Sequence, residues 1–155
     1  MKRILSCLLI LCCLTSVFLG CSSKSKNKNE TAFYEKVLET QELLDEYADD
    51  IYSCWYDYIY EEEYSSVDSA ILAAMIANSD NIDTIKANND VIKSLYKEVR
   101  DGDLSDEVKE VMQTYNEYYS FVMEVSGSFK SFSADKEPLK KELATALKNL
   151  SFELD

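Results

Sequence analysis

The side chains of this sequence that are able to do chemistry are carboxylates, phenols and a few thiols: 29 Asp and Glu, 11 Tyr and five Cys, with no histidine. The commonest general base and metal ligand at neutral pH is therefore absent. Cys54 is the only cysteine beyond position 21. As a nucleophile it would have no histidine to activate it, and zinc sites of the usual kind need several cysteines or histidines. It reads instead as a small residue at the edge of a helical seam. Gly102 and Gly127 stand far apart and alone after Gly20, which excludes a phosphate-cradling loop or a dinucleotide fingerprint. Asp80-Asn81-Ile82-Asp83 begins like a calcium loop but lacks its glycine and terminal glutamate. A carboxylate pair for glycoside cleavage is the one catalytic arrangement that the composition permits, and such pairs line clefts that slender helical bundles seldom have. The sequence predicts a non-catalytic protein with no cofactor and no metal.

The densest unusual stretch is DDIYSCWYDYIYEEEY, from Asp49 to Tyr64. At about 100° per residue, Trp55 and Tyr58 follow the apolar seam of a helix. Tyr56 and Tyr60 fall well outside it, one turn apart and near Asp49, with Tyr52 at the edge. Asp49, Tyr52, Tyr56 and Tyr60 form the candidate binding surface. Exposed aromatics beside carboxylates suit proteins or glycans, and a basic protein segment best. The competing reading is ordinary packing, under the last helix or a second copy. Glu35, Glu39, Glu42, Glu46, Asp49, Ser53 and Asp57 share the side opposite the seam. A solvated face is the simplest account of this ladder, and a surface for a cation or basic partner is the other.

The elements that must position these residues begin with an address. Lys2 and Arg3 precede an apolar run from Ile4 to Leu19, closed by Gly20-Cys21 and followed by SSKSKNKNE. That order of charge, apolar region and small polar tether is a secretory leader's. Phe18-Leu19-Gly20-Cys21 resembles the lipobox of bacterial lipoproteins, departing from the usual leucine and small residue at Phe18 and Leu19. The resemblance implies a diacylglycerol on the Cys21 sulfur, cleavage just before it, and an extracytoplasmic protein anchored to the cell membrane. An uncleaved N-terminal anchor is the alternative, and it also places the body outside the cytoplasm. Cys7, Cys12 and Cys13 leave with the leader, so no internal disulfide remains. The run from Asp49 to Glu63 also resembles a stretch in small helical surface lipoproteins of Gram-positive bacteria that lack an assigned activity.

The chain therefore divides into a signal peptide (1–20), a lipidated cysteine with a polar tether (21–30) and an acidic body (31–155). Net charge is −13, with +2 on the leader and +2 on the tether, leaving −17 on the body. Such a body is repelled by nucleic-acid phosphates and anionic lipid, so the expected partners are the membrane, through Cys21 alone, and a basic protein segment or other cell-envelope component.

Three glycines and one proline exclude most β-rich folds. Val37, Leu44, Ile51 and Tyr58, with Ala48 and Trp55, make one helical stripe between Ala32 and about Glu63. Ser65 or Ser66 caps a second helix with a seam from Ile71 through Asn78 and Asn89 to Val99, expected to be continuous rather than broken at 78–81. Lys86, Lys93, Lys97 and Arg100 are expected to face acids of a neighbouring helix. Gly102 stops that helix through a left-handed turn, and Ser105 caps a third whose seam runs from Val108 to Phe132, with Gly127 inside it. Pro138 opens a short fourth helix. The expected fold is all-α, an antiparallel up-down bundle of three long helices plus a shorter C-terminal one. The expected function is a non-catalytic binding module. An envelope enzyme with a carboxylate pair, such as a wall-glycan hydrolase, and a structural spacer are the alternatives.

Overall fold

A computed structural model describes residues 27–154; the expected leader, Cys21 and most of the expected tether lie outside the described residues. Among the described residues five helices follow one another: α1 Lys28–Tyr60, α2 Val67–Ala77, α3 Ser79–Val99, α4 Ser105–Met123 and α5 Phe129–Leu154. No strand occurs among the described residues. The molecule is an all-α antiparallel up-down bundle with a long first helix, 33 residues, and a shorter C-terminal one, 26 residues.

Side-chain bonds fix the directions. The Asn78 amide donates to Asp50, Asn88 to Glu39 and Asn29 to Glu98, so α2 and α3 together descend along α1. Lys136 binds Asp49, Lys140 binds Asp45, and Asn27 donates to the Glu153 carbonyl, so α5 also descends along α1. Helix α1 packs against each of the other four. Its stripe Phe33, Val37, Leu44, Ala48, Ile51 and Trp55 is buried and meets Ile85 and Ile92 of α3, Val111, Tyr115, Tyr118 and Val122 of α4, and Leu143, Leu147 and Leu150 of α5 in one core. Its period-seven repeat matches the shallow helix crossings that short connections impose.

The second seam is not continuous. Asn78 leaves the helical conformation (φ −105°, ψ 19°) between α2 and α3. Its side-chain amide donates to Asp50 Oδ2 at 2.7 Å and to the Ala74 carbonyl at 3.0 Å. The buried amide thus makes its bonds at the expense of one helical residue. Helix α2 starts from a reciprocal cap between Ser66 and Ser69. It buries only Ala70 and Ala74 and leaves Leu72, Met75 and Ile76 exposed. Lys86, Lys93 and Lys97 are exposed and make no ion pair among the described residues, and Arg100 pairs with adjacent Asp101. On neighbouring α1, Glu39 is engaged by Lys36 and the Asn88 amide, and Glu46 by the Asn81 amide.

The third seam also divides. Gly127 has φ +85°, in the left-handed region open to glycine, and turns the chain between α4 and α5. Ser128 and Ser131 then cap α5 reciprocally. Phe129 and Phe132 therefore belong to α5, which begins well before Pro138, and Pro138 lies inside the helix. Its missing N–H leaves the carbonyl of exposed Ala134 to solvent. Gly102 is not left-handed. A Cβ there would stand 3.1 Å from Glu30 Oε1 and 3.2 Å from the Val99 carbonyl, so close approach of the α1 start accounts for it. Leu104 rather than Ser105 occupies the N-cap of α4.

Two buried phenols tie α4 to its neighbours. Tyr118 donates to Asp45 Oδ1 at 2.7 Å, whose Oδ2 takes Lys140 at 3.1 Å. Tyr115 donates to Asn89 Oδ1 at 3.3 Å. Burial, and for Tyr118 also the Asp45 carboxylate, pushes both ionisations far above the usual phenol range. A raised folded value means that the stability is fully present below the unfolded pKa, about 10, and is lost as pH climbs toward the folded value. Tyrosinate absorbance above pH 10 is expected to rise in two phases, the second coinciding with loss of helical circular dichroism. Tyr118→Phe is expected to shrink that second phase and to cost about 1–2 kcal/mol at neutral pH. A single phase completed before the helices melt would contradict the burial of these hydroxyls.

Candidate binding surface

The upper third of α1 carries the aromatic residues, and the start of α5 supports them from one side. Tyr52, Tyr56 and Tyr60 lie one turn apart: Tyr52 and Tyr56 have ring centroids 6.3 Å apart, and Tyr56 and Tyr60 4.6 Å. Phe129 of α5 packs against all three, at 5.2 Å from Tyr52 and 6.3 Å from Tyr56 and Tyr60. Beneath, Trp55 touches Phe129 and Phe132, and Phe132 stacks on Phe121 at 4.7 Å. The outer rings are therefore held on a packed aromatic base. Tyr56 is 40% exposed, Ile59 41% and Tyr60 60%. Neither α5 nor any other described element buries them, as ordinary packing would require.

The four residues singled out from the sequence come together, but in two different states. Tyr56 and Tyr60 present open ring surface. Asp49 and Tyr52 are engaged by Lys136 of α5, whose ammonium binds Asp49 and lies 5.0 Å from the centre of the Tyr52 ring. Burial opposes the charge on Lys136, but Asp49 and Glu137 outweigh it and hold its pKa above the usual lysine value. Sequence reasoning missed Phe129 and Lys136. The available signal was the turn chemistry of Ser126-Gly127-Ser128, which starts a new helix whose first turns come back against α1.

Below the aromatic pair the same side of α1 stays open. Positions 35, 39, 42, 46, 49, 53, 56 and 60 are all exposed, spaced alternately four and three residues apart. The strip lies between the α2–α3 side, from which Asn81 reaches Glu46 and Asn88 reaches Glu39, and the α5 side, from which Lys136 reaches Asp49. The Lys36 hydrogen bond holds the Glu39 carboxyl below its ordinary pKa against the opposing effect of burial, with Asn88 adding to the lowering. Tyr56 and Tyr60, rather than Asp57, continue the register of the carboxylates.

Elsewhere, Cys54 is half-buried and receives the Tyr64 hydroxyl at 3.5 Å. That bond and the nearby thiol and carboxylate charges push the Tyr64 pKa up to about 12. An open groove of about 1120 Å³ between α4 and α5 is lined by Glu110, Glu117, Glu137 and Glu142 together with Lys140 and Lys141. Asp80-Asn81-Ile82-Asp83 is helical, with Ile82 buried, and Asn81 is spent on Glu46. No group of three or more potential metal ligands is assembled among the described residues. None of the described helices is long and apolar enough to cross a membrane.

No protein-family model, no curated protein and no solved structure matches this chain.

Proposed function

We propose that this chain is a lipid-anchored extracytoplasmic lipoprotein whose helical body is a non-catalytic binding module. The observation that carries the reading is the open Tyr56–Tyr60 pair, mounted on the Phe129–Trp55 base at the end of α1 remote from the N-terminus. At about 1.5 Å per residue, Tyr60 stands about 48 Å along α1 from Lys28. Asn27 is six residue steps from Cys21, a span of at most about 20 Å. An anchor at Cys21 thus holds one end of the bundle near the membrane and presents the aromatic end outward. Rigid tyrosines supply contact area with little rotamer entropy to lose, and the surrounding acids favour a basic protein segment as partner.

The test is capture of a defined partner from envelope extracts by the helical body, with and without Tyr56→Ala/Tyr60→Ala. The double variant is expected to lose the partner, by at least about tenfold in affinity, with helical circular dichroism unchanged. Retention of the same partner by the double variant would remove the aromatic pair from the interface. Glycan cleavage abolished by substitution of one acid would instead favour the envelope-enzyme reading, for which the α4–α5 groove is the place to look.

A further inference from the structure

We infer that the partner of this surface is a cationic amphipathic helix laid lengthwise along the outer strip of α1, its basic residues over Glu35, Glu42 and Glu46 and an apolar end on Tyr56 and Tyr60. The inference rests on the binding-module reading above and adds the shape, charge and orientation of what is bound.

A helical segment matches the spacing of the strip more closely than an extended one does. Rungs that alternate four and three residues apart recur on average about every 5.3 Å along α1. One face of a second helix repeats at the same interval when the two cross at a shallow angle, the geometry of knobs-into-holes packing. An extended segment places same-face side chains about 6.6 Å apart. Over the distance from Glu35 to Tyr60 it would fall about 9 Å out of register.

The chemistry of the occupant follows from two independent features. The strip is acidic along its lower part and aromatic at its upper end, with Tyr56, Ile59 and Tyr60 exposed. It also already holds two cations of this chain, Lys36 on Glu39 and the Lys136 ammonium, the latter seated jointly on Asp49 and the Tyr52 ring. That contact is an intramolecular instance of the one proposed, a cation shared by a carboxylate and a tyrosine face. The rungs on either side of it, Glu42 and Glu46 below and Tyr56 and Tyr60 above, have no lysine or arginine partner among the described residues. A second copy of this chain is a poor occupant, because its body repeats the same excess of negative charge.

The experiment uses the full chain purified from membranes in neutral detergent, with protein-free micelles as the baseline. The probe is a labelled helical peptide of about 25 residues, long enough to cover the strip. It carries lysines spaced three and four apart on one face and two leucines at one end of that face. A scrambled peptide of identical composition is the comparison. Fluorescence anisotropy is expected to show the patterned peptide binding at least about tenfold tighter than the scrambled one. Glu35→Gln/Glu42→Gln/Glu46→Gln is expected to weaken it about tenfold and flatten its salt dependence, whereas Tyr56→Ala/Tyr60→Ala weakens it with the salt dependence intact. Equal binding of both peptides, or indifference to the triple substitution, overturns the helix-on-strip inference. If the tyrosine variant alone then loses binding, the aromatic surface survives without the strip. If neither variant changes binding, both readings fall.

Discussion

Val122→Asp is expected to abolish the folded state or leave it marginal. Val122 is fully buried at the upper end of the α4 seam, within the same core as Tyr118, Trp55 and Phe132. The valine can be replaced by a carboxylate only by leaving a charge in an apolar interior, or by protonating it there. Either route costs several kcal/mol, about 4 or more, against a total stability of about 5–15 kcal/mol for a domain of this size. The sign of the pH dependence is a further check. The new carboxyl would have a raised folded pKa, so the folded state is least penalised below the unfolded pKa of about 3.9 and increasingly penalised as pH rises above it. Val91→Asp supplies the contrast, since Val91 on α3 is 45% exposed and the same chemical change there should cost no more than about 0.5–1 kcal/mol. Thermal melts of the two variants at pH 7 and pH 4 measure this directly. Equal, small effects at both positions would mean that α4 does not present this face to the core.

Cys21→Ser is expected to have the largest effect on where the protein is found. A diacylglycerol on the sulfur buries two acyl chains at about 0.8 kcal/mol per CH₂, which makes anchoring stable where one chain would be marginal. Serine has no thiol to form the thioether. The variant should therefore incorporate no labelled fatty acid, and it should either persist as a precursor of higher mass or be released from the membrane fraction. Undiminished labelling, or a mature N-terminus mapped elsewhere than residue 21, would sink the lipoprotein proposal. The same helical body, with its buried seam from Phe33 to Leu150, is present in both forms. Melting of the released body should match that of the anchored one.

The two variants probe features read from very different kinds of signal. The proposed leader and its cysteine rest on local composition and order, which need no tertiary context. The class of the fold was legible for a similar reason. Stripes such as Val37, Leu44, Ile51 and Val108, Val111, Tyr115, Tyr118, Val122 repeat at helical period, and apolar periodicity is a property of one segment at a time. All of these are buried in the structure. Tyr56 and Tyr60 could be placed off the seam of α1 by the same arithmetic, and their exposure agrees with it.

Where helices end was decided by competition that periodicity does not contain. Asn78 fitted the seam spacing, yet its amide is better satisfied by Asp50 from a helix 28 positions away in sequence, and one residue of helix gives way. The spacing through Val125 and Phe129 likewise looked unbroken, while the positive φ of Gly127 and the Ser128–Ser131 cap start a new helix there. That break carries functional consequence. It turns α5 back so that Phe129 supports the tyrosines and Lys136 takes Asp49, so a carboxylate counted as free from the sequence is half of an ion pair. The sequence by itself determined which residues of α1 face outward and what charge they bring, because helical geometry sets direction residue by residue. Only the tertiary structure decided which of them remain available, since availability depends on which neighbouring helix reaches them first.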